Sequence, residues 1–359
     1  MPEESKEVRE IRINPIVPTE SVLVSTSRGM RPKKAEEPYK ADKRHHVDTC
    51  PFCRGNEEKT PPEIAAYPDK DNWVMRIVEN LFPVLADKSL QPDFNFGLQR
   101  TIDGYGRHEV LIDHDNHGIA LHEMSVPHIK QLFLAVQERI KVLYESDDRL
   151  RCVLFFKNYG PSAGGSIPHT HSQIIAMPVV PQNIESEVQA SHQHYQKQHH
   201  CIFCTLIDEA LTYEATIYDK TSGEIRRKIE VGQYVIERGK HSVAIKPFAS
   251  RYEWEVHVLP LTHEADFLKA TDEEIEDFAI VLKDTMTRLD RIIGGVQYNF
   301  FLHSLPHEKG HHNFEQSYHW HLEICPRTSI PTGFELGSGL FVNTISPESA
   351  AKALRNVEI

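Results

Sequence analysis

The stretch Gly164–Pro178 reads GGSIPHTHSQIIAMP, and it sets three polar side chains two residues apart in what is otherwise a buried strand. Side chains at i, i+2 and i+4 of a strand point to one side of the sheet. His169, His171 and Gln173 therefore share a face. The loop before them, GPSAGGS, is rich in glycine and lets backbone amides approach a ligand's phosphate oxygens.

Moving outward, the surroundings of this strand occur twice. The first round begins with CPFC (Cys50–Cys53), continues through EVLIDHDNH to a strand ending at His117, and then enters an amphipathic helix carrying Ile129, Leu132, Phe133 and Val136. The strand CVLFF, the glycine loop and His169-Thr-His171 complete it. The second round begins with CIFC (Cys201–Cys204) and reaches His263. It continues through a helix carrying Ile275, Phe278, Ile280 and Leu282, and ends on HWHLE with His319 and His321. Apolar positions at a period of 3.6 define the helices, and β-branched and aromatic runs such as VHVLPL define the strands. The reading is an α+β fold of two repeats, residues 1–190 and 191–359, with a sheet in each half and a helix packed on it. NIESEVQASHQHYQKQHH, between the halves, reads as a helical connector, and HEKGHHNFEQ (His307–Gln316) reads as a solvated loop, with a substrate lid as the alternative.

The totals bound the function. The chain has 359 residues, 40% of them hydrophobic, so it can bury a sizeable core. A net charge of -12 argues against a nucleic-acid surface, because phosphate backbones are held by clustered Lys and Arg. No apolar run approaches the roughly 20 residues that span a bilayer, and the polar opening MPEESKEVREIRINP lacks the plan of a secretory signal. A soluble, cytoplasmic protein is the expectation. Four of the six cysteines form the two C-x-x-C pairs, while Cys152 and Cys325 lie in apolar runs as core thiols.

A C-x-x-C turn lets two thiolates grip one ion, and tetrahedral zinc then needs two more ligands. The repeat supplies them: Cys50, Cys53, His117 and His169 in the first half, and Cys201, Cys204, His263 and His319 in the second. His114 is a local rival to His117, but the matched distance to the following helix favours His117. With His169 on a metal, His171 is left as the nucleophile candidate. A neutral imidazole can attack phosphorus through one nitrogen while the other donates its proton to a carbonyl. Gln173 can donate to the charge that builds on the phosphate. The second half places Glu323 where Gln173 stands, and a carboxylate there repels phosphate, so the first H-x-H is read as the catalytic strand.

Together, INPIVPTESVLVSTSRGMRPKKA, CPFCRGNE, NLFP, KNYGPSAGGSIPHTHSQ, HWHLEICPR and GFELGSG make the chain resemble the galactose-1-phosphate uridylyltransferase family of the histidine-triad superfamily over nearly its whole length. The resemblance implies half-barrels of mainly antiparallel strands with outer helices, and a homodimer. It also implies a ping-pong reaction in which His171 takes UMP from UDP-glucose and passes it to galactose 1-phosphate. Asn158 and Gln173 would contact the nucleotide phosphates, Arg28 and Arg31 the diphosphate sugar, Asn80 the region of the base, and Glu335 the hexose hydroxyls. Some members of the family build their second metal site from a Glu and three His, which map to Glu187, His303, His319 and His321; the thiolate pair favours the Cys201 set. An ADP-glucose phosphorylase branch, with the same nucleophile and inorganic phosphate as acceptor, is the alternative enzyme. A zinc-stabilised nucleotide-binding module is the alternative without catalysis.

Overall fold

The computed structural model describes residues 8–30, 38–88, 93–307 and 314–359. Ten strands form its main sheet: β1 (Glu63–Tyr67), β2 (Met75–Glu79), β3 (Arg107–Ile112), β4 (Cys152–Tyr159), β5 (His171–Met177), β6 (Val235–Arg238), β7 (Ser242–Ile245), β8 (Val256–Pro260), β9 (Tyr298–His303) and β10 (His321–Pro326). The spatial order is β6-β7-β8-β10-β9-β4-β5-β3-β2-β1, antiparallel throughout. Followed inward from either edge, the five strands of each half take the same order, 1-2-3-5-4. A separate sheet in each half was expected. Instead the two join edge to edge along β4 and β9, with Tyr298 opposite Tyr159 and Asn299 opposite Asn158. The pairing satisfies two rows of backbone groups that free edges would leave open.

The helices are α1 (Val126–Ser146), α2 (Gln182–Gln198), α3 (Ile202–Thr212), α4 (Asp272–Ile293), α5 (Gly333–Ser338) and α6 (Pro347–Arg355). Ser125 caps α1 by accepting from the His128 amide at 3.3 Å. Thr271 and Glu274 form a reciprocal capping box on α4, which ends at Gly294 in the left-handed region. The buried stripes of α1 and α4 meet one core: the Phe133 ring packs edge-on against Phe278 at 5.0 Å and Phe155 at 5.8 Å. Ile280 is the exception among the expected stripe positions, being 41% exposed. It lies two residues past Phe278, about 200° round the helix, and so faces away from the core.

Strand alternation then decides where chemistry can sit. Phe155 and Ile174, paired on β4 and β5, face the helices and are fully buried. His171, Gln173, Phe156 and Asn158 project from the opposite face. The histidines expected at strand ends fall just beyond them, because β3 stops at Ile112 and β8 at Pro260. His117, His263 and His169 therefore stand in loops, from which their rings turn toward the cysteine pairs.

A smaller sheet of Arg9–Ile13, Ser21–Ser25 and Phe341–Asn343 is fastened to the second half. Asn343 donates to the Ser250 carbonyl at 2.9 Å, and Arg12 to that of Phe248 at 3.1 Å. Among the described residues, no helix is long and apolar enough to cross a membrane.

Candidate functional site

The two cysteine pairs each meet two histidines. In the first half, Cys53 Sγ lies 3.5 Å from the Nδ1 atoms of both His117 and His169, and Cys50 Sγ lies 3.6 Å from His169 Nδ1. A tetrahedral zinc with bonds of about 2.3 Å to sulfur and about 2.0–2.1 Å to nitrogen needs S···N edges of about 3.6 Å. The donor set fits. His169 turns its Nε2–H to the His114 carbonyl at 2.8 Å, which leaves Nδ1 free to ligate. The His114 ring is engaged elsewhere, with Asp115 at 2.8 Å and tilted against the His128 ring at 4.3 Å.

In the second half, Cys204 Sγ lies 3.3 Å from His263 Nδ1 and 3.7 Å from His319 Nδ1, and the donor atoms of Cys201, Cys204, His263 and His319 all fall within 4.8 Å of one another. His319 Nε2 donates to the Pro260 carbonyl at 2.9 Å, and His263 Nε2 to that of Glu315 at 2.9 Å. His319 thus faces the thiols, and the Glu187, His303, His319, His321 grouping does not form. Glu187, His303 and His321 gather with Glu323 instead, in a fully buried cluster that could itself hold an ion.

His171 follows directly from the first knuckle. Its Nδ1–H donates to the His169 carbonyl at 2.8 Å, and its Nε2 makes no hydrogen bond to a described residue. Burial, and then the charge of Lys157, push the imidazole below its ordinary pKa, so the ring is neutral with its lone pair on Nε2. Phe52 lies across it at 5.3 Å. Behind the strand, the buried Lys157 ammonium pairs with Asp113 and donates to Thr170 Oγ1 at 2.9 Å and the His171 carbonyl at 2.8 Å. Ser172 also bonds Asp113, at 3.1 Å, so every residue from Thr170 to Ser172 is tied to this pair.

The same position in the second half is electrostatically opposite. His321 also donates Nδ1–H to the carbonyl two residues earlier, that of His319, at 2.9 Å. Its Nε2, however, sits 3.6 Å from both Glu187 and Glu323. Burial would lower its pKa, but these carboxylates raise it, so His321 holds a proton where His171 holds a lone pair. Glu323 is in turn paired with Arg251, which also bonds Glu255 at 3.1 Å. A cavity of about 690 Å³ opens here, lined by Glu187, His303, Glu323, Arg251 and aromatic side chains such as Phe203 and Phe301.

Around His171 the amides are ordered. Gln173 Oε1 lies 2.8 Å from His108 Nε2, and Asn80 Nδ2 lies 3.1 Å from the same ring nitrogen. Asn299 donates to Asn158 Oδ1 at 2.8 Å and to the Ala163 carbonyl at 2.8 Å, which leaves the Asn158 amide hydrogens toward the face that carries His171. Gly165 has to be glycine: a Cβ there would stand 2.8 Å from the Asn158 carbonyl oxygen. Arg28 and Glu335 are not joined to this group by any contact among the described residues. They stand near each other beside the small sheet, where the Thr332 bonds and the Arg28 charge, against slight burial, hold the Glu335 carboxyl below its ordinary pKa. Arg31 lies outside the described residues.

Residues 1–181 match the family described as galactose-1-phosphate uridyl transferase, N-terminal domain. The chain belongs to the galactose-1-phosphate uridylyltransferase family. Within it, the chain is 30% identical over 355 residues to the ADP-glucose phosphorylase of Arabidopsis thaliana, covering 98% of this chain and 93% of that one. It is 27% identical over 359 residues to the galactose-1-phosphate uridylyltransferase of Thermotoga maritima, covering 98% and 99%. The crystal structure of the Arabidopsis thaliana ADP-glucose phosphorylase with bound ADP-glucose superposes with a TM-score of 0.81 at 29% identity, covering 98% of this chain and 100% of that one. The chain is an enzyme of the nucleotidyltransferase type, as the family's members are, and the reading as a binding module without catalysis is set aside. Sequence reasoning missed His108, Asn299 and the Lys157–Asp113 pair. The only signal was a polar residue inside an apolar strand, as in RHEVLI and CVLFFKNY.

Proposed function

We propose that this enzyme moves a nucleoside monophosphate from a nucleoside diphosphate glucose to a phosphate acceptor through a covalent intermediate on His171. One observation carries the reading: His171 Nδ1–H is bound to the His169 carbonyl while Nε2 is free, whereas His321, in the same place of the other half, has Nε2 between two carboxylates. The Nε2 lone pair attacks the α-phosphorus. The N–P bond forms as the P–O bond to the sugar phosphate breaks, and glucose 1-phosphate leaves with the electron pair. An acceptor phosphate oxygen then attacks the same phosphorus, and the N–P bond breaks to return neutral His171. The amide hydrogens of Gln173 and Asn158 meet the charge on the phosphoryl oxygens.

The donor is read as UDP-glucose and the acceptor as galactose 1-phosphate, which the family's description and the Thermotoga relative support. Asn80 lies toward the base, while Arg28, Arg31 and Glu335 serve the diphosphate and hexose. A second reading, ADP-glucose as donor and inorganic phosphate as acceptor, is supported by the Arabidopsis relative. Zinc is the metal that fits both Cys2His2 sets, and with four protein ligands it supplies a rigid anchor. The repeated strand order supports two histidine-triad-like half-barrels, 1–190 and 191–359, and a cytoplasmic homodimer accompanies the reading. Release of glucose 1-phosphate is the test. Turnover with UDP-glucose and galactose 1-phosphate supports the first reading, turnover only with ADP-glucose and phosphate moves the enzyme to the second, and turnover with neither pair refutes both.

A further inference from the structure

We propose that His108 is a positioning residue that fixes which end of the Gln173 amide faces the reacting phosphate. The inference rests on nucleotidyl transfer at His171 and adds to it a residue that touches no substrate. His108 stands on β3, buried, with Nδ1 3.2 Å from the backbone nitrogen of Val84. A backbone N–H can only donate, so Nδ1 is the acceptor and carries no proton. In the neutral ring the proton is then on Nε2, which lies 2.8 Å from Gln173 Oε1. That oxygen can only accept. The reversed amide would set its two hydrogens against the Nε2–H, donor against donor.

The consequence is directional. With Oε1 held by His108, the Gln173 nitrogen is the end presented to the phosphoryl oxygens, where a donor is needed. An unrestrained amide presents its oxygen in the flipped state, which repels the same anionic oxygens. Asn80 stands against the same ring. Its Oδ1 accepts from the Phe82 amide at 2.9 Å, so its Nδ2 is the atom 3.1 Å from His108 Nε2; with the Nε2–H directed to Gln173 Oε1 at 2.8 Å, this longer N···N approach is a contact and not the hydrogen bond that orients Gln173. The series Val84 N–H, His108, Gln173 therefore passes one orientation from the backbone of a turn to the reaction centre across strands 65 residues apart. In the second half Glu323 has two equivalent oxygens, and its partner is Arg251.

The test is single-turnover transfer of label from α-phosphate-labelled UDP-glucose and ADP-glucose to the full chain, comparing wild type, His108→Leu, His108→Gln, Gln173→Ala and the double variant His108→Leu/Gln173→Ala. His108→Leu is expected to slow transfer about ten- to a hundred-fold with little change in donor half-saturation. His108→Gln, which can again place an N–H donor on Oε1, recovers most of the rate. The double variant is no slower than Gln173→Ala alone, because His108 acts only through Gln173. Single effects that multiply in the double variant, or a His108→Leu chain that transfers at the wild-type rate, would overturn the assignment. Imidazole nitrogen-15 spectra of the wild type give a reading that needs neither a donor nor a variant. A proton on Nε2 of His108 is expected, and a proton on Nδ1 overturns the proposal. Absence of label from both donors in a wild type showing the expected tautomer would instead sink the transfer reading and leave the amide orientation standing.

Discussion

His171 donates its Nδ1–H to the His169 carbonyl at 2.8 Å, and the His169 ring is itself turned to the thiols of Cys50 and Cys53 at 3.6 and 3.5 Å. The group that sets the tautomer of the proposed nucleophile is thus the backbone of a residue whose side chain belongs to the Cys50, Cys53, His117, His169 cluster, which could hold a metal.

That coupling predicts different outcomes for the two cysteine pairs. Cys50→Ser and Cys201→Ser should each lower bound zinc by about one ion per chain, and each should lower the melting temperature, because a structural zinc contributes its binding energy to the fold. Only Cys50→Ser should also abolish transfer to His171. Metal analysis with a single-turnover assay at a temperature where both variants stay folded checks this. Equal loss of transfer in the two variants would contradict it.

Lys157 and Asp113 form a buried ion pair at 1% and 0% side-chain exposure, directly behind Thr170–Ser172. Lys157→Met leaves a buried carboxylate without its cation and should cost about 3–5 kcal/mol, read from urea unfolding. Adding Asp113→Asn should return part of that loss. A Lys157→Met cost under about 1 kcal/mol would mean that the pair does not hold the strand.

Arg251 governs acid behaviour in the second half. Burial alone would raise the Glu255 pKa, but Arg251 and His257 hold it down to about 2. A folded pKa below the unfolded value of about 4.3 contributes stability that is present above pH 4.3 and is lost as pH falls toward 2. Arg251→Met should therefore cost about 3–5 kcal/mol at pH 7, with two buried carboxylates left without their guanidinium, and its deficit against wild type should narrow as pH drops through 4. A deficit that does not change with pH would contradict the assignment.

What could be read from the sequence was what is local or repeated. C-x-x-C, H-x-H and the 3.6-residue stripes are set by near neighbours, so the knuckle residues and α1 and α4 could be placed, even though the helix stripe failed at Ile280. The partners that order the amides could not, because His108 meets Gln173 across 65 residues and Asn299 meets Asn158 across 141. The merging of two sheets at β4 and β9 was hidden for the same reason: an edge strand carries no sequence mark of which edge it will join. Arg28 and Glu335 were assigned to the substrate by motif alone; they flank the small sheet, and no contact among the described residues joins them to His171.

The central claim is the free Nε2 of His171 as the attacking atom. The direct measurement is acid-labile, base-stable label retained on the denatured chain after mixing with α-phosphate-labelled UDP-glucose or ADP-glucose, with His171→Gly and His321→Gly as paired variants. The account predicts about one label per chain in the wild type and in His321→Gly, and none in His171→Gly. Label that survives in His171→Gly, or that disappears only in His321→Gly, would contradict it.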